Sequence, residues 1–209
     1  MSAKLGFIHK FIPATKSSNA MTLLLLHGTG GNEDDLIPLA SEISPGAAML
    51  SPRGKVLENG MPRFFRRLAE GVFDLKDLHY RTDELANFVK EASSHYGFDP
   101  DSIVAVGYSN GANIAVSILL LCPGILHGAV LFRPMVPLVP EKEPDLSDNQ
   151  IYISAGLTDS IVARKETEEL VKILRKCGAK VTLSWAQAGH AIVRQEIRDA
   201  RIWINETYP

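Results

Sequence analysis

The sequence predicts an α/β fold: one domain over residues 1–209, with a mostly parallel central sheet and helices on both of its faces. Two observations carry this. Apolar runs of strand length alternate along the chain with helical patterns, as repeated strand–helix–strand crossovers require. The central runs, such as MTLLLLH, are apolar throughout, as strands buried on both faces are. A length of 209 residues suits one domain, and 45% hydrophobic residues can fill its core.

The first run, GFIHKFI (6–12), alternates enough to be an antiparallel or edge strand. The buried strands follow as MTLLLLH (21–27), AAMLSP (47–52), IVAVGY (103–108), GAVLFRP (128–134), QIYISAG (150–156) and KVTLSWA (180–186). Between them lie helical patterns at 33–43, 74–96, 110–122, 163–178 and 191–208. The pattern at 163–178 ends in a basic last turn and a C-terminal glycine, the usual stop signal. Two stretches read as loops: 51–73, with three aromatic residues, and the proline-rich 133–149. Loops of this length in a compact domain are often functional. The chain has no internal repeat, no low-complexity tract and no room for a large cap domain.

Composition narrows the function classes. The formal net charge is −2, so no basic surplus exists to neutralise phosphates, and a nucleic-acid partner is not expected. The longest nearly apolar stretch, AVSILLLC (115–122), is too short to span a bilayer, so no membrane insertion is expected. The N-terminus has no signal-peptide pattern, and two cysteines, Cys122 and Cys177, are too few for a disulfide framework. A cytoplasmic protein is the expectation. A homodimer is left open, because the sequence does not fix the oligomeric state.

The stretch GYSNG, with Gly107, Ser109 and Gly111, fits G-x-S-x-G between a predicted strand and a predicted helix. Presenting a serine at such a turn requires small neighbours, and the N–H that follows it then points at a developing oxyanion. The competing account is a serine that only caps the helix. A nucleophilic serine needs a base and an orienting acid, in the chain order serine, acid, histidine on a strand–turn–helix scaffold of this kind. Only His127 and His190 follow Ser109. His127 opens a strand, at the wrong end of the sheet, whereas His190 follows the last strand. Among the acids between them, Asp159 follows the strand QIYISAG within three residues, at the same sheet edge. The competing accounts are a helix cap for Asp159 and a surface role for His190.

The stretch HGTGGNEDD follows the first buried strand. It lacks the spacing of a phosphate loop, and its acidic run would repel phosphate. It reads better as a donor loop for an oxyanion, with the N–H groups of Thr29 and Asn110 as the pair and His27 as an anchor for the loop. Asn110 then matters for its backbone, and its side chain should tolerate change better than Gly107 or Gly111.

Together, LHGTGGNEDD, GYSNGAN, GLTDSIV and AGHAI resemble the α/β-hydrolase superfamily. The match is nearest to its carboxylesterase/phospholipase group, related to acyl-protein thioesterases. The segments SPRGKVLENGMPRFFRRLAEGVFD and LFRPMVPL are similar to bacterial hydrolases of the MhqD type. The resemblance implies Ser109 as nucleophile, Asp159 as acid, His190 as base, and Thr29 with Asn110 as oxyanion donors. It departs at the loop after the third strand. Acyl-protein thioesterases carry a tryptophan-containing motif there, and this chain has Phe64 and Phe65.

The expected activity is hydrolysis of short-chain or aryl carboxylic esters through an acyl-serine, with neither metal nor organic cofactor. A thioesterase or lysophospholipase would use the same triad, and a catalytically inactive binding module is the remaining alternative. The expected pocket residues are Phe64, Phe65, Met135, Ile161 and Ile192. Plain core packing competes for Phe64, Phe65 and Met135. The pocket walls read as largely apolar, which favours such an ester over a charged substrate. Arg53, Arg63 and Arg66 could meet an anionic acyl group, but solvation at the surface is the favoured account.

Overall fold

The computed structural model describes residues 5–15 and 21–208. Eleven strands and five helices run in the order β1 (His9–Ile12), β2 (Thr22–Leu26), α1 (Ile37–Ile43), β3 (Ala48–Pro52), β4 (Val56–Glu58), β5 (Met61–Arg63), β6 (Arg67–Ala69), β7 (Val72–Phe73), α2 (Leu75–Tyr96), β8 (Ile103–Tyr108), α3 (Asn110–Leu121), β9 (Gly128–Phe132), β10 (Gln150–Gly156), α4 (Arg164–Lys176), β11 (Lys180–Ala186) and α5 (Arg194–Thr207). Seven strands form one sheet in the order β1-β3-β2-β8-β9-β10-β11. All its pairs are parallel except β1 with β3, so the alternating first run is an antiparallel edge strand.

The solid apolar runs divide their side chains between two layers, as the period of two along a strand dictates. Leu24, Leu26, Ala105 and Leu131 face a core shared with α2, α3 and α4. Leu23, Leu25, Val104, Val106 and Phe132 face the opposite core, shared with α1 and α5. Both faces are covered, which is why these runs carry no polar alternation. Burying each such leucine fully stabilises the fold by about 1.5–3 kcal/mol. No large cap domain is inserted among the described residues. No described helix is long and apolar enough to cross a membrane.

The helices start and stop where local chemistry dictates. Asp74 caps α2 by accepting from the Asp77 N–H at 3.1 Å, and Gly97 ends it with a left-handed φ of 74°. The helix expected over 33–43 begins later, at Ile37. Pro38 has no N–H to donate and fits only the first turn, so residues 33–36 form turns instead. The helix expected from residue 191 likewise begins at Arg194, where Glu196 accepts from the Val193 N–H at 2.9 Å. Residues 133–149 carry no regular element, in line with the sequence. Residues 51–73 do not form a plain loop. They fold into two antiparallel hairpins, β4–β5 and β6–β7. Asn59-Gly60, with φ values of 51° and 80°, makes the first turn.

Candidate active site

The parallel strands β2, β8, β9, β10 and β11 all end on one edge of the sheet, and the site is built there. β2 lies between β3 and β8, so the chain leaves it toward one side and resumes on the other. That divergence opens a crevice beyond the strand ends, the usual place for ligands in open α/β sheets.

Ser109 lies between β8 and α3 with φ 51° and ψ −114°, strained for a residue with a side chain. Such strain costs on the order of 1–3 kcal/mol and persists only where the surroundings hold it. Here the Ser109 N–H donates to the Phe132 carbonyl at 2.9 Å, and the Asn113 N–H donates to the Ser109 carbonyl at 3.0 Å. The glycines are required by close approach. A Cβ on Gly111 would sit 1.9 Å from the Leu26 oxygen, and one on Gly107 would sit 2.7 Å from the Ala112 Cα. Asn110 has a second task beyond its backbone. Its side chain is 2% exposed, and its Oδ1 accepts from the Phe64 N–H at 2.8 Å, tying the hairpin segment to the serine helix.

A chain of hydrogen bonds runs from the serine. His190 Nε2 lies 3.0 Å from Ser109 Oγ, and His190 Nδ1 lies 2.8 Å from Asp159 Oδ2. With Nδ1–H donating to the carboxylate, the Nε2 lone pair faces the serine hydroxyl. The Asp159 side chain is 1% exposed. Burial pushes its carboxyl up, but N–H groups of Ile161 (2.8 Å) and Val162 (3.1 Å), with the His190 bond, outweigh this and hold it below the ordinary value. The loops that bear the acid and the histidine are packed backbone to backbone. The Thr158 N–H donates to the Ala188 carbonyl at 3.1 Å, and a Cβ on Gly156 would lie 2.3 Å from the Gly189 oxygen.

Arg133 is absent from the sequence reading of the site, yet it holds this edge together. It follows β9, between the serine-bearing and acid-bearing strands, with φ 56° and a side chain 0% exposed. Its Nε donates to the Gly189 carbonyl at 2.8 Å, and Nη2 to the Ala191 carbonyl at 2.9 Å, the carbonyls of the two residues that flank His190. Nη1 donates to the Ser154 carbonyl at 3.1 Å. A bidentate pair with Glu196, at 2.5 and 2.8 Å, uses the remaining two N–H groups. The Ser154 hydroxyl also donates to Glu196. Burial pushes the Glu196 carboxyl up, but Arg133, Ser154 and the Val193 N–H hold it below its ordinary value. Arg133 Nε also lies 3.8 Å from Asp159 Oδ2. The sequence carries one faint signal, an arginine interrupting the apolar run GAVLFRP.

The loop after β2 stands beside the serine turn because β2 and β8 are neighbours, with Leu26 opposite Gly107. The His27 Nδ1–H donates to the Gly28 carbonyl at 2.7 Å, and its Nε2 accepts from the Gly54 N–H at 3.0 Å. Burial lowers its pKa, so the ring stays neutral and anchors the loop. The Gly30 N–H donates to the Pro62 carbonyl at 2.9 Å, joining this loop to the hairpins. The N–H groups of Thr29 and Asn110 have no protein acceptor among the described residues.

The cleft above Ser109 has a volume of about 330 Å³. Thr29, Asn110, Tyr108, Asn113, Met135, Ile161 and His190 line it, with Arg63, Arg67, Glu70, Gly71 and Phe73 on the hairpin side. Of the expected pocket residues, Met135 and Ile161 line the cleft, and Phe64, Phe65 and Ile192 do not. Phe64 is 3% exposed with its ring 4.7 Å from that of His27, and Phe65 is fully buried against Phe73. The hairpin segment folds back on the sheet, so both rings complete the core beneath the cleft. Ile192 packs on the core face shared by α1 and α5. One arginine differs from its reading as a solvated charge, since Arg63 is 3% exposed. Arg53, with its side chain 38% exposed, forms a bidentate pair with Glu33 at 2.5 and 2.8 Å. Arg66 is exposed and paired with Asp74. Among the described residues, no group of three or more His, Cys, Asp or Glu side chains is placed to hold a metal ion.

Residues 8–208 match the model of the phospholipase/carboxylesterase family. MhqD of Bacillus subtilis (strain 168) is 48% identical over 191 residues, covering 91% of this chain and 96% of that protein. The crystal structure of a Bacillus cereus carboxylesterase superposes with a TM-score of 0.95 at 48% identity, over 97% of this chain and 95% of that one. YahD, whose structure was solved with malic acid, superposes with a TM-score of 0.91 at 30% identity, over 96% of this chain and 99% of that one. The chain therefore belongs to the phospholipase/carboxylesterase family of α/β-hydrolases, and it is a hydrolase of the carboxylesterase class.

Proposed function

We propose that the protein hydrolyses short carboxylic esters through an acyl-serine intermediate on Ser109. The observation that carries this is the unbroken chain from Ser109 Oγ through His190 to the buried Asp159, beside two backbone N–H groups with no protein acceptor among the described residues. His190 Nε2 takes the hydroxyl proton as Oγ attacks the ester carbonyl. The new Oγ–C bond makes a tetrahedral oxyanion, which the N–H groups of Thr29 and Asn110 receive. Asp159 holds the imidazole tautomer and stabilises the imidazolium. His190 then returns the proton to the alkoxide as its bond to carbon breaks. Water, deprotonated by His190, attacks the acyl-serine and releases the acid and the free hydroxyl. Donors fixed in advance are worth about 2.7–4 kcal/mol each at such a hole.

The cleft supports a small substrate. Its volume of about 330 Å³ stands at the low end for ligand sites, which run from about 300 to 1,000 Å³. The related YahD was solved with malic acid, a small polar molecule. The test is a panel of p-nitrophenyl esters from acetate to palmitate, with acyl-CoA and lysophospholipid alongside. The expected profile peaks at short chains and vanishes in Ser109→Ala. A peak at palmitate, acyl-CoA or lysophospholipid would overturn the short-ester reading.

A further inference from the structure

The hairpin side of the cleft carries two arginines that share one acid. The Arg63 Nε donates to the Phe65 carbonyl at 3.2 Å, and its Nη1 to Thr29 Oγ1 at 2.7 Å and Glu58 Oε2 at 3.3 Å. The Arg67 Nε donates to the other oxygen of Glu58 at 2.8 Å. One carboxylate thus serves two guanidiniums, and one positive charge is left over. Nη2 of Arg63 and both Nη atoms of Arg67 have no protein acceptor among the described residues. Both residues line the cleft that holds Ser109. A guanidinium taken out of water is stable when its charge and donors are matched. Arg133 meets that condition with protein groups alone. Arg63, with its side chain 4% exposed, does not, and Arg67, 32% exposed, has only Glu58 and water. Glu70 also lines the cleft, but at an exposed hairpin turn where water screens it.

We propose that Arg63 and Arg67 form a subsite for a carboxylate on the substrate, so that the preferred esters are half-esters of short dicarboxylic acids. This rests on the ester-hydrolase reading above. The leaving oxygen takes its proton from His190, so the part of the substrate beside Thr29 and the hairpins is the acyl half. Its free carboxylate accepts from the open Nη groups in the forked geometry that guanidinium offers. A purely apolar acyl group would leave those donors facing the ligand without partners.

The test compares monomethyl succinate with methyl butyrate by pH-stat, as kcat/KM. The wild-type protein is expected to favour the succinate ester by at least about tenfold, the scale of a charge-assisted hydrogen bond. Arg67→Met should remove that preference, and Glu70→Gln should raise it about twofold. A wild-type ratio at or below one overturns the subsite while leaving the ester reading in place. An equal loss on both esters in Arg67→Met also overturns it, since that is what a structural role would give. If neither ester is turned over, the ester reading fails and the subsite is read by calorimetric titration of succinate. Binding weakened about tenfold by Arg67→Met supports the subsite. Undetectable binding, or equal binding in both proteins, overturns it.

Discussion

The cleft beside Ser109 has a sheet wall and a hairpin wall, with one buried arginine, Arg133, behind the first and another, Arg63, lining the second. On the sheet wall Arg133 uses all five N–H groups on protein acceptors, two of them the carbonyls that flank His190. On the hairpin wall Arg63 leaves Nη2 without a protein acceptor among the described residues and shares its acid with Arg67. The same side chain therefore does two different jobs. A saturated guanidinium fixes the backbone around it, and an unsaturated one is free to hold a ligand. The sheet wall should govern rate and stability, and the hairpin wall should govern the choice of substrate.

The largest effect should fall on the sheet wall. Asp159→Asn leaves the fold intact but favours the wrong imidazole tautomer, so kcat on p-nitrophenyl acetate should drop by up to ~10⁴. A near-normal kcat would show that Asp159 does not orient the base. Next comes Arg133→Met, which strands the Glu196 carboxylate in the interior. Urea unfolding should register a loss of about 3–5 kcal/mol. The double variant Arg133→Met/Glu196→Met should lose less than the sum of the two single variants. With Gly189 and Ala191 released, kcat should fall by about 10² even where the variant is fully folded.

The hairpin wall should respond more weakly. Arg63→Met leaves Glu58 still paired with Arg67 and partly exposed, so the expected loss of stability is only about 1–2 kcal/mol. A loss as large as that for Arg133 would erase the contrast between the walls. The smallest effect is a dependence on acidity. Glu196 is held below its ordinary pKa, which is about 4.3. The stability it contributes is complete above that value and is lost as pH falls through the lower folded-state value. Unfolding measured across acidic pH should therefore show a shallower acid-side decline in Glu196→Gln than in the wild type.

The sheet wall is largely legible in the sequence. Its strands are continuous apolar runs, and residues that follow them in order must lie at one edge of a parallel sheet. That is enough to place Ser109, Asp159 and His190 near one another. Arg133 and Glu196 are illegible for the opposite reason, because their pairing joins residues distant in the chain and leaves no local period. The hairpin wall is hidden because its strands are only two or three residues long. No alternation can be read over so few positions, although Asn59-Gly60 is a recognisable turn signal. Phe64 and Phe65 mislead for the same reason. In a loop an aromatic pair suggests a pocket lining, and only the fold of the hairpins turns both rings into the core.

The central claim is that Ser109 is a nucleophile activated by its neighbours. The most direct measurement is reaction of the folded protein with a fluorophosphonate, followed by peptide mass spectrometry. One adduct per chain on Ser109, absent in Ser109→Ala and slowed in Asp159→Asn, is the result this account predicts. A folded wild-type protein that takes up no label, or takes it on another residue, would contradict it.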